Sequence, residues 1–220
     1  MIRLVPAALA AAVLLAGCGG GSGGEATLLV TRDEGGTVLV DTRVPAGETA
    51  LQALDWKTDV TTRYGGRFVQ SVNGLAGSIA KRHDWFYFVN GIEGGRGAQE
   101  YRLHAGDVLW WDYRNWGRLG EYVPVVVGAF PEPFVHGFAG KVPPAVVVGP
   151  RTPAVRRVTR LLHARLASSA PAHANVLRIV PSRRTSFTAA ASRGGTLFTF
   201  RGDPRRLLDR SLYAHRYRVP

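Results

Sequence analysis

Two segments of the sequence carry aromatic side chains at alternating positions. They are DWFYFVNG (residues 84–91) and GDVLWWDYRNW (residues 106–116). Neighbouring residues of a β-strand point to opposite faces of the sheet, so Trp85 and Tyr87 share one face, and Phe86 and Phe88 share the other. Tryptophan and tyrosine join a large apolar ring to a polar group, which suits a half-wet surface. The pattern predicts that the phenylalanines lie under a helix and that the opposite face engages a planar or partly apolar ligand.

The predicted ligand-binding set extends into the loop that follows the first aromatic segment. Asn90 and Gly91 are most simply turn residues, because Asn-Gly supplies two positive φ values; amide contacts with the rim of a ligand are the alternative. The glycine-rich stretch 91–101 lacks the Lys-Ser/Thr of a phosphate-binding loop, so nucleotide binding is not expected. The residues predicted to bind ligand are Trp85, Tyr87, Asn90, Gly91, Arg96, Tyr101, Trp111 and Tyr113.

No residue pattern in the sequence is typical of an active site. A Ser-His-Asp order and paired carboxylates are not recognisable, and the single cysteine lies at position 18, ahead of the folded part. His83 is a candidate metal ligand, but no second histidine or acid stands at ligand spacing, so a surface histidine is the simpler interpretation. We therefore expect a protein that is not an enzyme, with no catalytic residue and no metal site.

The N-terminal residues predict a lipid anchor. An apolar run at residues 4–16 has the size of a secretory signal core and is too short to span a bilayer. It ends in LAGC, which resembles a bacterial lipobox, so Cys18 is the expected lipidation site; a plain secretory signal beside a cysteine is the alternative. Because Cys18 is the only cysteine, no internal disulfide can form.

These features predict the location of the protein. Residues 1–17 form the signal peptide, and residues 18–24 contain the lipidated cysteine and a flexible GGGSGG tether. Such a tether reaches roughly 13–15 Å, so the folded part lies close to the membrane. The expected location is the extracytoplasmic face of the bacterial cell membrane, where two or three acyl chains anchor a protein stably.

The charge is divided unevenly along the chain. Residues 25–120 hold 11 basic and 12 acidic residues, whereas residues 121–220 hold 16 basic and 4 acidic residues. Outside the cytoplasm a nucleic acid is not an expected partner, and no nucleic-acid-binding motif is present. A basic surface near the membrane could lie on anionic headgroups. The alternative is a solvated face whose charge reflects the excess of arginine, 25 Arg against 3 Lys.

The pattern of strands and turns predicts an α+β fold. In residues 25–117 we expect strands at 26–33, 35–47, 67–74, 84–91 and 106–116, with a helix capped by Thr49 after the second strand. The order ββαβββ predicts a β-grasp-like domain, in which a mixed sheet packs on one helix.

Residues 118–220 are expected to form a small, basic α/β unit. Strands are expected at 145–150, 175–180 and 196–202. A helix begins after Thr152 and Pro153, which are favoured at the cap and first position. Its apolar stripe is Val155, Val158, Leu162 and Leu166, and His163 is expected on the same helix.

The segments GETALQAL, RFVQSVNG, DWFYFVNG and AQEYRLHAGDVLWWDY resemble, in order, the transcobalamin-like C-terminal domain, a domain of unknown function in bacterial lipoproteins. The resemblance covers about residues 27–115. Its most specific elements are Trp85-x-Tyr87-x-Val89-Asn90-Gly91 and Gly106-Asp107-Val108 followed by Trp111 and Tyr113. In animal cobalamin carriers this domain closes over a corrinoid held against a large helical domain, and we expect no such helical partner within these 220 residues.

The resemblance implies a ligand-facing sheet, with cobalamin as a possible bound ligand and a vitamin or metal uptake transporter as a possible partner. Two hypotheses follow. In the first, the protein is a membrane-anchored binding lipoprotein that presents a small, corrinoid-like ligand to an uptake system. In the second, it is an interaction or accessory protein that docks a transporter subunit and binds no small molecule.

Overall fold

The computed structural model describes residues 23–220. The predicted signal peptide and Cys18 lie outside these residues, as does most of the tether. The described part has a mixed α/β architecture with three sheets and few helices. Within it, no helix has the length and apolar character needed to cross a bilayer.

The first half of the described chain is built on a five-stranded sheet. Its elements are β1 (Glu25–Arg32), β2 (Thr37–Pro45), α1 (Ala50–Asp55), β3 (Val60–Arg63), β4 (Phe68–Val72), β5 (Leu75–Ala76), β6 (His83–Val89), β7 (Ile92–Glu93), β8 (Val108–Asn115) and α2 (Trp116–Leu119). The main sheet has the strand order β2-β1-β8-β6-β7, with β1 and β8 as a central parallel pair. Strands β3, β4 and β5 form a separate small antiparallel sheet.

Helix α1 begins where the sequence predicts. The Thr49 hydroxyl accepts a hydrogen bond from the Gln52 N–H, and the Gln52 side chain accepts one from the Thr49 N–H. This capping box satisfies two of the amides that a helix start leaves unpaired. The helix buries Ala50, Ala53 and Leu54. Two of these side chains are small, so large rings are needed to fill the space between the helix and the sheet.

The second half is built on another five-stranded sheet. Its elements are β9 (Ala145–Val148), α3 (Pro153–Leu161), β10 (Arg165–Ala167), β11 (Asn175–Val180), β12 (Ser186–Ser192), β13 (Gly195–Arg201) and two 3₁₀ helices, Pro204–Leu208 and Arg210–Leu212. The strand order is β10-β9-β11-β13-β12, and only β12 runs antiparallel to its neighbour.

Helix α3 is shorter than the sequence predicts. Its Thr152 cap and N-terminal Pro153 are confirmed, but the helix ends at Leu161. His163 has a positive φ of 50°, which stops the helix, so the expectation that His163 is helical is wrong. Leu166 lies in β10 and pairs with Val147 of β9, so tertiary pairing overrides the helical stripe at this position.

The sequence prediction also missed several strands. The largest of these, β3 and β12, read VTTR and SFTAAAS, with mostly exposed side chains. Neither has the apolar alternation that marks a half-buried strand. Both are edge strands that form by pairing with β4 and β13, a contact that only the folded chain supplies.

Candidate functional site

The aromatic face predicted to bind ligand is buried by the chain itself. Trp85, Tyr87 and Trp111 lie in one core cluster with Leu54 and the alanines of α1, and the exposed fraction of Trp111 is 2%. Their rings therefore fill the space under the small side chains of the helix. The expectation of an open aromatic face is wrong, because the rings expected to face a ligand cover α1 instead.

The assignment of the opposite face is also wrong. Phe88 lies in a separate cluster with Trp110 and Leu29 of the sheet, and with Val126 and Tyr217 from the second half of the chain. The Phe86 ring lies 3.7 Å from the guanidinium carbon of Arg114. The phenylalanines thus lie on the face that meets residues beyond position 120, and not under α1.

Two of the buried rings donate hydrogen bonds from their polar groups to backbone carbonyls. The indole N–H of Trp85 donates to the Leu75 carbonyl at 2.8 Å, and the Tyr87 hydroxyl donates to the Arg96 carbonyl at 2.7 Å. Burial raises the pKa of Tyr87 to about 12. The indole N–H of Trp111 is buried and has no hydrogen-bond partner. Tyr113, which is half-buried, donates to the Ala76 carbonyl at 2.9 Å.

The Asn90 side chain hydrogen-bonds to the start of β8 and to the segment near residue 137. Its side-chain oxygen accepts from the Val108 N–H at 2.8 Å, and its amide donates to Asp107 and to the Gly137 carbonyl at 2.7 and 2.8 Å. Asn90 and Gly91 have φ values of 53° and 78°, which confirms the turn. Because Asn90 is fully buried, its amide has no open side toward a ligand rim.

Of the two remaining predicted residues, Tyr101 belongs to the same core and Arg96 lies at its surface. Tyr101 is buried and its hydroxyl accepts the Ala139 N–H at 2.9 Å, while burial raises its pKa to about 12. Arg96 is exposed, and its guanidinium carbon lies 5.9 Å from the centre of the Tyr101 ring. Arg96 and Tyr101 thus lie beside the aromatic rings, but those rings are buried.

An open cleft lies where the first sheet meets the second half of the chain. Its volume is about 480 Å³. We call it the inter-half cleft; its lining is Thr27, Leu29, Asp41, Thr42, Arg43, Val108, Trp110, Gly128, Ala129, Arg210 and His215. Leu29 of β1 and Trp110 of β8 lie at its base and are buried, while Arg43 and Arg210 bring positive charge to its wall. Six of the eleven lining residues are polar or charged, so the cleft offers charge and hydrogen bonds more than apolar contact.

A second depression lies on the small sheet and is more apolar. It has a volume of about 440 Å³ and is lined by Arg63, Tyr64, Phe68, Gln70, Gly77, Ser78, Ile79 and Asp84. Tyr64 and Ile79 are 79% and 87% exposed, although both are large and apolar. Burial raises the pKa of the Asp84 carboxyl, while the Trp85 N–H opposes that rise.

A buried polar network joins the two halves behind the inter-half cleft. Asp112 is fully buried and accepts hydrogen bonds from the Thr31 hydroxyl, from two backbone amides at 3.1 and 3.2 Å, and from the Tyr217 hydroxyl at 2.9 Å. Burial raises the pKa of Asp112, and the donors partly offset that rise. Buried Arg114 pairs with Glu93 at 3.0 Å in the same region.

Reasoning from the sequence did not find the inter-half cleft. Its residues come from β1, β2 and β8 and from the segment around residue 210, which no local pattern connects. The only usable signal is the placement of threonine and charged residues at Thr27, Thr42 and Arg43 of two strands. The same signal marks any solvent-facing strand, so it could not identify a cleft. No group of three or more metal-ligating side chains occurs within residues 23–220.

Comparison with known proteins gives one family match. A family model described as a domain of unknown function (DUF4430) matches residues 47–115. The matched segment lies inside the region whose motifs resemble the transcobalamin-like domain. The comparison with curated proteins gives no match.

Two solved structures are distantly similar to the chain. Haptocorrin in complex with Cbi is 17% identical, with a TM-score of 0.35, and the match covers 41% of this chain and 24% of haptocorrin. A proposed metal-binding protein from Ruminococcus gnavus is 15% identical, also with a TM-score of 0.35, and the match covers 42% of this chain and 97% of that protein. The present chain thus spans about a quarter of the haptocorrin chain.

Proposed function

We propose that the chain is a membrane-tethered, extracytoplasmic binding protein that holds a small molecule in the inter-half cleft and catalyses no reaction. The observation that carries the proposal is the cleft itself, which lies between two packed halves and is lined mainly by polar and charged residues. Its volume of about 480 Å³ lies within the range that suits drug-sized ligands.

The charges of the cleft favour an acidic ligand. Two arginines of the lining, Arg43 and Arg210, outnumber its carboxylate, that of Asp41. The Thr27 hydroxyl offers hydrogen bonds, while the partly buried Val108 offers apolar contact. A molecule with a carboxylate or phosphate at one end and an apolar body matches this combination.

A corrinoid remains the ligand that the sequence resemblance implies. A cleft of this volume encloses a drug-sized molecule, so a corrinoid would extend beyond it and contact only part of the lining. We therefore rank a smaller acidic ligand first, and we retain cobalamin as a separate ligand to be tested.

The fold and anchoring belong to the same proposal. We assign residues 25–117 to a β-grasp-like domain, supported by the central parallel pair β1–β8 and by α1 following β2. Residues 118–220 are assigned to a second, basic unit. Cys18 is assigned as the lipidated residue, supported by the lipobox-like sequence LAGC. A vitamin or metal uptake transporter in the same membrane is the proposed recipient of the ligand.

Mass spectrometry of small molecules that co-purify from the native membrane tests the ligand. We expect one acidic compound to accompany the wild-type protein and to be lost from Arg43→Gln/Arg210→Gln. The matched control is Arg67→Gln/Arg82→Gln, which removes the same charge from exposed positions outside the cleft. Equal retention by both variants, or no compound in any sample, would contradict the proposal.

Titration with cobalamin tests the corrinoid separately. Trp110 lies in the cleft lining, so a ligand bound there should change its fluorescence. A change with cyanocobalamin or cobinamide that Arg43→Gln/Arg210→Gln weakens would support a corrinoid. If the fluorescence is unchanged with both compounds, a corrinoid is excluded as the ligand. The smaller acidic ligand is then tested by the mass spectrometry alone.

A second candidate function is supported by the apolar depression on the small sheet. Tyr64 and Ile79 expose most of their surface, and exposed apolar patches often mark protein contacts. In this alternative the protein docks a transporter subunit and binds no small molecule. A photo-crosslinker at position 64 in native membranes should then label a membrane transport subunit, whereas one at exposed Asp55 should not. Labelling of no membrane protein would remove this candidate.

A further inference from the structure

Five exposed arginines of the second half of the chain lie on the side of its sheet that α3 covers. Helix α3 exposes Arg156, Arg157 and Arg160, and the first 3₁₀ helix exposes Arg205 and Arg206. The two helices contact each other, because Leu207 shares a buried cluster with Val155 and Val158 of α3. We call these five arginines the arginine face.

The arginines of α3 form one stripe on the helix surface. Arg156 and Arg160 are four residues apart, with Arg157 beside them, so all three lie opposite the buried Val155 and Val158. Like charges at this spacing destabilise a helix in isolation. An anion placed over the stripe would relieve the repulsion, so the arrangement favours a negatively charged partner.

Few carboxylates oppose this charge. In the described part of the basic half, the ion pairs within 4 Å are Asp203–Arg205 and Glu132–His136. The guanidinium group of Arg206 donates to the Thr185 hydroxyl, which places the loop containing Arg183 and Arg184 at the border of the face. Most of the positive charge on this side of the sheet is therefore available to a partner.

We propose that the arginine face docks on the anionic phospholipid headgroups of the membrane that carries the anchor. The proposal rests on the membrane tethering proposed above, since the GGGSGG tether keeps the folded chain close to that surface. Charge complementarity selects the occupant: the exposed arginines of α3, together with Arg206, match a plane of phosphates, while Arg205 is paired with Asp203. The docking would fix the orientation of the inter-half cleft above the bilayer.

Vesicle co-sedimentation tests the docking surface. The full chain with Cys18→Ser, which lacks the acyl chains, is mixed with vesicles of phosphatidylcholine alone or with 30% phosphatidylglycerol. The N-terminal segment, which carries Arg3, is the same in every variant, so a change of preference between variants reports the substituted arginines. We expect a preference for phosphatidylglycerol that falls as salt rises, because surface charges are screened.

The variant Arg156→Gln/Arg157→Gln/Arg160→Gln should lose on the order of 100-fold of that preference, since each near-surface cation contributes about fivefold. The control variant is Arg165→Gln/Arg178→Gln/Arg193→Gln. It removes the same charge. Arg165 and Arg178 are the strand partners of Val146 and Val148, which belong to the cluster on the side of the sheet away from α3, so these arginines lie on that side too. The control should keep most of the preference.

The outcomes that contradict the docking surface differ from those that contradict the tethering. Retention of the preference by the α3 variant, or an equal loss in the control, would overturn the docking surface. Mass measurement of the wild-type protein from its native membrane reports the tethering separately. A preference for phosphatidylglycerol together with an unlipidated Cys18 would contradict the tethering and support the surface. A lipidated Cys18 without that preference would support the tethering and contradict the docking surface.

Discussion

The hydroxyl of Tyr217 donates a hydrogen bond to Asp112 across 2.9 Å, although the two residues lie 105 positions apart. Asp112 belongs to β8, at the centre of the first sheet, and Tyr217 lies near the C-terminus. The Tyr217 ring also packs edge-on against Trp110, with ring centres 5.5 Å apart. The C-terminal segment is therefore fixed on the sheet face of Phe88 and Trp110, and it forms one wall of the inter-half cleft.

The first prediction concerns this hydrogen bond. Tyr217→Phe keeps the ring but removes one donor from a buried carboxyl, so we expect the free energy of unfolding to fall by about 1–3 kcal/mol. Urea denaturation followed by tryptophan fluorescence measures the change. Tyr122→Phe is the control, because Tyr122 is exposed and should change stability by less than about 0.5 kcal/mol. Equal stability of the two variants would show that the contact contributes nothing.

The second prediction concerns the dependence of stability on pH. Burial raises the pKa of Asp112 above its ordinary value of 3.8 in the folded state. The folded chain then holds a proton at a pH where the unfolded chain has released it, so the free energy of unfolding falls as pH rises through the folded pKa. Asp112→Asn cannot titrate and should lack this decline.

The measurement for that prediction is a series of urea midpoints from pH 3.8 upward for both proteins. The stability of the wild type relative to Asp112→Asn should be greatest at the acidic end. Asp55→Asn removes an exposed carboxyl from α1 and serves as the control for general charge effects. If the wild type and Asp112→Asn follow parallel curves, the pKa of Asp112 is not raised.

The third prediction tests whether the aromatic face is buried. Trp56 is 60% exposed, while Trp85, Trp110 and Trp111 are buried and Trp116 is half-buried. Trp56→Phe should therefore remove the largest part of the fluorescence that acrylamide quenches, and Trp116→Phe should remove less. An unchanged accessible fraction in Trp56→Phe would mean that the buried indoles are open to solvent, and would restore the aromatic ligand site.

The fourth prediction separates backbone strain from packing at two Asn-Gly turns. Gly74 and Gly91 have φ values of 77° and 78°, so alanine is strained at both, by about 1–2 kcal/mol. A Cβ at position 74 would meet nothing within 4 Å, whereas one at position 91 would lie 2.9 Å from the Val126 carbonyl oxygen.

Gly91→Ala should therefore destabilise the chain by at least about 1 kcal/mol more than Gly74→Ala, because the second half must shift away. Differential scanning calorimetry of both variants measures the difference. Equal losses would show that the second half does not pack on the Asn90–Gly91 turn.

Local signals were sufficient where the structure depends on neighbouring residues. Thr49 caps α1, Thr152 and Pro153 start α3, and both Asn-Gly pairs form turns at the predicted positions. In each case the interacting groups lie within a few residues, so the sequence contains the whole interaction. The central strands followed from alternation for the same reason.

What the sequence could not determine is which partner covers each face of a sheet. Alternation shows that Trp85 and Phe86 point to opposite sides of the sheet. Because both sides of β6 are apolar, the pattern does not show which side faces α1. The small buried face of α1 selects the tryptophans, and Val126 and Tyr217 from distant parts of the chain cover the other side. The inter-half cleft and the arginine face arise from the same long-range packing. The sequence thus determined the helix starts, the Asn-Gly turns and the two faces of the predicted strands. Only the tertiary structure decided where α3 ends, that the edge strands β3 and β12 form, and which faces are buried, because these depend on contacts between segments far apart in the chain.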